Sequence, residues 1–484
     1  MIKMDNVSFK YENAKNGGKI SEINVEIFKG QVVLLCGESG SGKTTFGRLV
    51  NGLIPTYYEG ELSGKTSVCG LDAAECELHE LAPLVGSVFQ NPKSQFYTLL
   101  TDTEIVFACE NLGINREEIL RRFDEVTLLY KMEKILGKSL FAISGGQKQK
   151  VACASASALN PEIFVLDEPT SNLDISTIKE LREILLLLKA KGKTILIAEH
   201  RLTWLEGIVD RVLYFHDGKI KEDLTANQFY GKSIADLRKM GLRAEMKFEP
   251  DKRMISLGEK LIIDNFIYKI KGQQILNIKH LELPEQTVIA VLGNNGMGKS
   301  TFAKCLCGLL KKTKGILSIH QEQFDDKKRR ELCYMVVQDV NHQLFSESVI
   351  DDVTLGVYGE EESKKEKARE ILKALNLDMF EEAHPMSLSG GQRQRVAIAG
   401  AIASHKEILI YDEPTSGLDY KHMREVVESL NRLSQIGKTQ FVITHDPELV
   451  AACCNYFIFI ENGEVVAQGE WTKENVKKIK EYFG

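Results

Sequence analysis

The sequence is short of long apolar runs, of paired cysteines and of net charge, and each shortage removes a class of protein. No stretch approaches the roughly 18 consecutive apolar residues that a membrane-crossing helix needs. The first residues, MIKMDNVSFKYEN, have no apolar centre of the kind an export signal carries, so a cytosolic setting is expected. Ten cysteines are scattered without a C-x-x-C pair, and adjacent Cys453 and Cys454 are poorly spaced to share a metal. They are expected to be reduced, mostly buried thiols. A formal net charge of −6 over 484 residues argues against a broad nucleic-acid-binding surface, and none is expected. What is left is an ordinary globular composition, 43% hydrophobic and 27% charged. The length suits about two to four domains.

The chain repeats itself. GESGSGKTT begins at Gly37 and GNNGMGKST at Gly293, 256 residues later. SGGQ at Ser144 and Ser389, DEPT at Asp167 and Asp412, and the histidines His200 and His445 all recur at 245. The halves are therefore one duplicated domain, and the second has lost 11 residues between its glycine loop and its SGGQ. The charged, Gly- and Pro-punctuated stretch Arg238–Glu259 reads as a linker, giving domains over 1–237 and 260–484. QVVLLC, TVIAVL, and the apolar runs before Asp167, Asp412, His200 and His445 read as buried strands. Helical spacing at Ile178, Leu181, Leu185 and Leu188 ends at Gly192, and that at Met423, Val426, Val427, Leu430 and Leu433 ends at Gly437. Such alternation predicts an α/β fold, with a mostly parallel sheet covered by helices.

The glycine loops carry the chemistry. Gly37, Glu38, Ser39, Gly40, Ser41, Gly42, Lys43 and Thr44, with Thr45 after them, fit the G-x-x-x-x-G-K-[ST] pattern. Gly293, Asn294, Asn295, Gly296, Met297, Gly298, Lys299 and Ser300, with Thr301, fit it again. Glycines let backbone N–H groups turn toward a phosphate, and the helix that follows adds its positive end. Lys43 and Lys299 are expected on the β/γ-phosphates, and Thr44 and Ser300 on Mg²⁺. Asp167 and Asp412 end apolar strands, where a carboxylate can hold Mg²⁺ directly or through water. Glu168 and Glu413 follow as bases for an attacking water. His200 and His445 stand 33 residues after their aspartates and are expected to sense the γ-phosphate. Ser144, Gly145, Gly146 and Gln147, like Ser389, Gly390, Gly391 and Gln392, precede helices, where a serine suits an anion or an ordinary N-cap.

Together these motifs resemble the ATP-binding cassette (ABC) ATPases, in order and in both halves. Glutamine loops (Gln90 in VFQNP, Gln338 in VVQDV), signatures (ISGGQ, LSGGQ) and D-loops (Ser171–Asp174, Ser416–Asp419) complete the set. The resemblance implies two P-loop domains, each with a parallel core sheet, an antiparallel β portion and a helical signature subdomain. It implies ATP and Mg²⁺ as ligands, with Gln90 and Gln338 contributing to the metal and to catalysis, and Tyr11 and Tyr268 stacking on adenine. It also implies a head-to-tail pairing of the halves. Gly37–Thr44 would then face Ser389–Gln392, and Gly293–Ser300 would face Ser144–Gln147.

QNPKSQFYTLLTDTEIVFACENLGI, from Gln90, is similar to the ATPases of energy-coupling-factor (ECF) importers. Its counterpart QDVNHQLFSESVIDDVTLGV keeps Gln343 but lacks the Asn-Pro. This resemblance implies a transmembrane scaffold subunit, a small substrate-binding membrane subunit and a place on the cytoplasmic face of the membrane. The stretch Asn341–Ser389 holds 11 acidic and five basic residues, a balance that suits a basic partner helix. Two other groups share the tandem layout. The ribosome-acting ABC-F proteins have long charged helical linkers, against 22 residues here, and tandem sugar-importer ATPases tend to a degenerate second loop, against an intact GNNGMGKS. Replacing Glu168 or Glu413 by Gln is expected to cut turnover at its own site by roughly 10²–10⁴. Steady-state phosphate release checks it.

Overall fold

In the computed structural model, residues 1–12, 19–171, 173–244, 248, 260–357 and 359–483 are described. The chain divides into two compact units, Met1–Ala244 and Glu245–Gly484. Asn172 of the first D-loop, and most of the expected linker after Ala244, lie outside the described residues. Arg238–Ala244, assigned to the linker by composition, belong to the first unit, where Leu242, Arg243 and Ala244 are buried. The helix Ile234–Lys239 is closed by Gly241 at φ 71°, with Leu242 N donating back to Leu237 O at 2.9 Å.

Each unit is built on two sheets. In the first, a six-stranded sheet runs Lys219–Thr225, Arg211–His216, Val32–Gly37, Thr194–Ala198, Ile163–Asp167, Val85–Val88. All neighbours are parallel except the edge hairpin of Arg211–His216 with Lys219–Thr225. A four-stranded antiparallel sheet runs Lys19–Ile27, Ile2–Tyr11, Gly60–Val68, Leu71–Asp72. The second unit repeats both orders around the central strand Val288–Leu292. Three helices in each half form the signature subdomain, Thr101–Asn111, Arg116–Leu129 and Gly145–Ala158 in the first and Val349–Thr354, Glu361–Ala374 and Gly390–Ala403 in the second.

The central strands are buried on both faces, which is why they read as unbroken apolar runs. Side chains alternate between two cores. Val32, Leu34 and Cys36 face the helices, while Val33 and Leu35 face the antiparallel sheet. Val288, Ala290 and Leu292 divide from Ile289 and Val291 in the same way. All ten cysteines are free thiols, and the two between buried and exposed are Cys69 and Cys76. Among the described residues no helix is long and apolar enough to cross a membrane.

Phe302 anchors the helix after the second glycine loop. It is 1% exposed and packs edge-on against Phe441 with ring centroids 5.9 Å apart. Phe302→Ala is expected to cost about 3–5 kcal/mol, read as a lower denaturant midpoint.

Candidate functional site

The glycine loops leave the carboxyl ends of the central strands. Gly37 has φ 148°, and a β-carbon there would stand 2.3 Å from the carbonyl oxygen of Phe215. Gly293 repeats this at φ 138° and 2.2 Å from Ile460 O, so neither position admits a side chain. Lys43 and Lys299 each open a helix of eight residues whose N-cap is a left-handed glycine without a side-chain cap. The first-turn N–H groups are thereby left to an anion. Lys43 Nζ donates to Gly37 O and Glu38 O, both at 2.8 Å. Lys299 Nζ donates to Gly293 O at 2.6 Å and Asn294 O at 3.0 Å. Ser41 Oγ is buried without a hydrogen-bond partner among the described residues, a donor fitted to a phosphate oxygen.

Beside each lysine the next side chain meets the strand-end aspartate. Thr44 Oγ1 donates to Asp167 Oδ1 at 3.3 Å, and the Ser300 hydroxyl bonds Asp412. Burial, reinforced by the neighbouring Glu168 charge, pushes the Asp167 carboxyl up to about 6. Burial raises Asp412 too. A buried carboxylate raised in this way suits a cation, and the paired hydroxyl places a second oxygen beside it.

Glu168 and Glu413 adopt left-handed backbone, φ 45° and 52°. That conformation costs a non-glycine residue about 1 kcal/mol and turns the carboxylate away from the strand line. It is held by bonds from Glu168 N to Ala198 O at 2.8 Å and from Glu413 N to Ile443 O at 2.9 Å. Gln90 Nε2 donates to Glu168 Oε2 at 2.7 Å, and His200 Nε2 lies 3.4 Å from Glu168 Oε1. Burial alone would raise the Glu168 carboxyl, but His200, Lys43 and Gln90 together hold it below its ordinary value. It is therefore ionised at neutral pH and can accept a proton from water. In the second unit His445 N donates to Glu413 Oε2 at 3.3 Å, and its Nε2 lies 3.6 Å from Glu413 Oε1. Gln338 stands two residues beyond its strand Cys333–Val336, as Gln90 does beyond Val85–Val88.

The signatures lie apart from this group within their own unit. Ser144 and Gln147 form a reciprocal capping box on Gly145–Ala158, and Ser389 and Gln392 do so on Gly390–Ala403. Ser144, Gly145, Ser389 and Gly390 are exposed, while Gly146 and Gly391 are buried. Tyr11 ends its strand with its hydroxyl 3.2 Å from Thr45 Oγ1 and accepting from Arg48 at 2.9 Å. The Arg48 guanidinium also covers Tyr58 at 3.9 Å. Tyr268 is half-buried against the core of the second unit.

Sequence reasoning missed a carboxylate beside each histidine. Thr170 Oγ1 of the first DEPT donates to buried Glu199 at 2.5 Å, and Glu199 Oε1 accepts from His200 N and Arg201 N. Thr415 of the second DEPT donates to Asp446 at 2.6 Å. The acid precedes the histidine in one half and follows it in the other, so the fixed 245-residue offset conceals it. The strand-end position and the DEPT threonine were the available signals. A second omission is Tyr482, whose hydroxyl lies 3.0 Å from His445 Nδ1.

Such a loop, doubled, with a glutamate at the end of the next strand but one of the same sheet, defines a nucleoside triphosphatase of the P-loop class. The family model described as ABC transporter matches residues 20–171 and again 276–416. The chain belongs to that family: it binds ATP and is an ATPase. A candidate ABC transporter ATP-binding protein of Treponema denticola is 42% identical, over 98% of each chain. One of Methanosarcina mazei is 30% identical, over 97% of this chain and 89% of its own. Among solved structures, RNase-L Inhibitor superposes with a TM-score of 0.67 at 20% identity, covering 99% of this chain and 93% of its own. Archaeal ABCE1 in a ribosome-bound model with Pelota gives 0.71 at 19% identity, covering 99% and 80%. At that identity the likeness is one of fold.

Asp167 supplies a pH test. Its folded value near 6 lies above the ordinary 3.8. Its charge therefore destabilises the nucleotide-free fold fully above about pH 6 and loses that effect as pH falls toward 4. Asp167→Asn is expected to stabilise the nucleotide-free chain by as much as about 3 kcal/mol at pH 7.5, and by less at pH 5. Chemical denaturation at the two pH values measures it.

Proposed function

We propose that this ATPase energises an importer of the energy-coupling-factor type, working on the cytoplasmic face of the membrane through a separate scaffold subunit and a small substrate-binding subunit for a vitamin or a metal ion. The observation that carries this reading is a fastened loop in each half that holds an aromatic ring out into solvent beside the glutamine. Tyr97 is 78% exposed and Phe345 is 77% exposed. Buried Glu104 accepts from Tyr97 N at 3.1 Å and Thr98 N at 2.8 Å, and buried Asp352 accepts from Phe345 N and Ser346 N at 3.2 Å. Leu99 and Phe141 add exposed apolar surface on neighbouring strands of chain, joined by Leu140 N to Leu99 O at 2.9 Å. Single exposed apolar residues are ordinary. Aromatic rings held in place by buried acids in both halves suit a docking surface.

The missing Asn-Pro in the second half does not weaken this reading. Gln95 bonds Phe89 N and Ser87 O, and Gln343 bonds Val337 N and Met335 O. Asn91 and Asp339 each cap the short turn that follows. The same loop is made with different residues. Because Gln90 opens it and bonds Glu168, movement of a docked partner has a short route to the hydrolytic carboxylate.

Two ATP sites follow from this reading, each completed by the other half. Gly37–Thr44 works with Ser389–Gln392, and Gly293–Ser300 with Ser144–Gln147. Thr44 and Asp167, with Gln90, would hold one Mg²⁺, and Ser300 and Asp412, with Gln338, the other. Among the described residues no cluster of three or more His, Cys, Asp or Glu side chains could hold a metal alone. In this reading phosphate oxygens of the nucleotide complete each shell.

The test is affinity recovery of the tagged chain carrying Glu168→Gln and Glu413→Gln from its own cells in mild detergent. A polytopic scaffold protein with small membrane proteins should be recovered, and adding Tyr97→Asp and Phe345→Asp should cut that recovery at least about tenfold. Ribosomes without a membrane partner would overturn the reading.

A further inference from the structure

Each switch histidine faces the glutamate of its own unit, His200 Nε2 at 3.4 Å from Glu168 Oε1 and His445 Nε2 at 3.6 Å from Glu413 Oε1, but the two rings are held differently from behind. In the second unit, the helix Lys473–Phe483 brings Tyr482 against the glycine loop. The Tyr482 hydroxyl lies 3.0 Å from Gly293 O, 3.3 Å from Gly293 N and 3.0 Å from His445 Nδ1. On the other side of the ring, Lys299 Nζ lies 3.1 Å from His445 Nε2, and Asn295 Oδ1 lies 3.2 Å from the same nitrogen. The tyrosine is well supported. Its ring packs edge-on against Phe459 and Phe483, and Phe483 stacks on Phe248, which stacks in turn on Trp471. Leu237 stands 245 residues before Tyr482, and it has no polar atom to offer His200.

Proton counting decides how this network is wired. An ammonium donates and cannot accept, so Lys299 requires a bare lone pair on His445 Nε2. The neutral ring then carries its proton on Nδ1 and donates it to the Tyr482 oxygen. That oxygen also accepts from Gly293 N, and its own hydrogen goes to Gly293 O. The Asn295 amide satisfies the arrangement by presenting its NH₂ to Nε2, since its two ends interchange by a flip. The opposite tautomer would offer an N–H to Asn295 Oδ1 and Glu413 Oε1, but would set that N–H against the ammonium 3.1 Å away.

We propose that Tyr482 is a positioning residue for ATP hydrolysis in the second unit: it fixes His445 as the Nδ1–H tautomer, so that before nucleotide arrives the histidine and the loop lysine occupy each other. A γ-phosphate that draws Lys299 away exposes Nε2 toward the reacting end, with the ring angle already set from behind by the tyrosine. The switch in this half is thereby tied to the helix Lys473–Phe483, and among the described residues no such tie reaches His200. The inference rests on ATPase chemistry and is independent of the membrane partner proposed above.

The test is nitrogen NMR on the full, nucleotide-free chain labelled with ¹⁵N-histidine, with His445→Gln assigning the resonance by its loss. Nδ1 should resonate as protonated and Nε2 as bare in the native chain, and Tyr482→Phe should shift the population toward Nε2–H. The same variant, which keeps the ring and loses only the hydroxyl, should lower kcat about fivefold, the effect of one neutral hydrogen bond, with KM for ATP within about twofold. An Nε2–H resonance in the native chain, a tautomer indifferent to Tyr482→Phe, or an unchanged kcat would each overturn the assignment. The native spectrum decides the tautomer even where the variant is unstable.

Discussion

A lysine turned back on the carbonyls of its own loop is the interaction on which each half depends. A phosphate loop must point its N–H groups inward, which turns carbonyls such as Gly37 O and Glu38 O toward the protein, where they need donors. Lys43 and Lys299 supply those donors and keep a positive charge at the mouth of the loop. The buried central strand fixes where the loop starts, and the left-handed glycine fixes where the helix begins. Aspartate, glutamate, glutamine and histidine then arrive at one place because parallel neighbours end at the same edge of the sheet.

That geometry explains how much was legible beforehand. Strands buried on both faces print as continuous apolar runs, so Val32–Gly37, Ile163–Asp167, Thr194–Ala198 and their counterparts were readable to within a residue or two. The glycine loops were readable because few other residues satisfy such a backbone. The end of the first unit was not, because Leu242 and Ala244 sit among charged neighbours and only burial distinguishes them. The equivalence of QNPKSQ and QDVNHQ was hidden for a related reason. An Asx turn needs a side-chain oxygen at one position and tolerates either Asn or Asp there. Tyr482 was invisible in principle, since nothing in a helix of Lys, Glu and Tyr announces that one hydroxyl reaches a loop 189 residues away.

Duplication has preserved the reacting groups and relaxed what surrounds them. Gly, Lys, Asp, Glu and His recur with matching backbone, down to the left-handed glutamates. Their supports differ. Arg48 and Tyr58 brace Tyr11 in the first half, whereas aromatic residues of the C-terminal helix brace the histidine in the second. Selection on chemistry fixes atoms at the reacting centre, and several side chains can deliver each of them.

The carboxylate beside the switch histidine shows the route such divergence takes. Glu199 sits before His200 and Asp446 after His445, yet each receives the hydroxyl of its DEPT threonine. Losing the acid first would leave a buried threonine and the neighbouring backbone N–H groups unbonded. Gaining the second acid first keeps the threonine bonded at every step. The two acids are thus interchangeable supports for one threonine hydroxyl, and a turn carrying both would keep that hydroxyl bonded while either acid was exchanged.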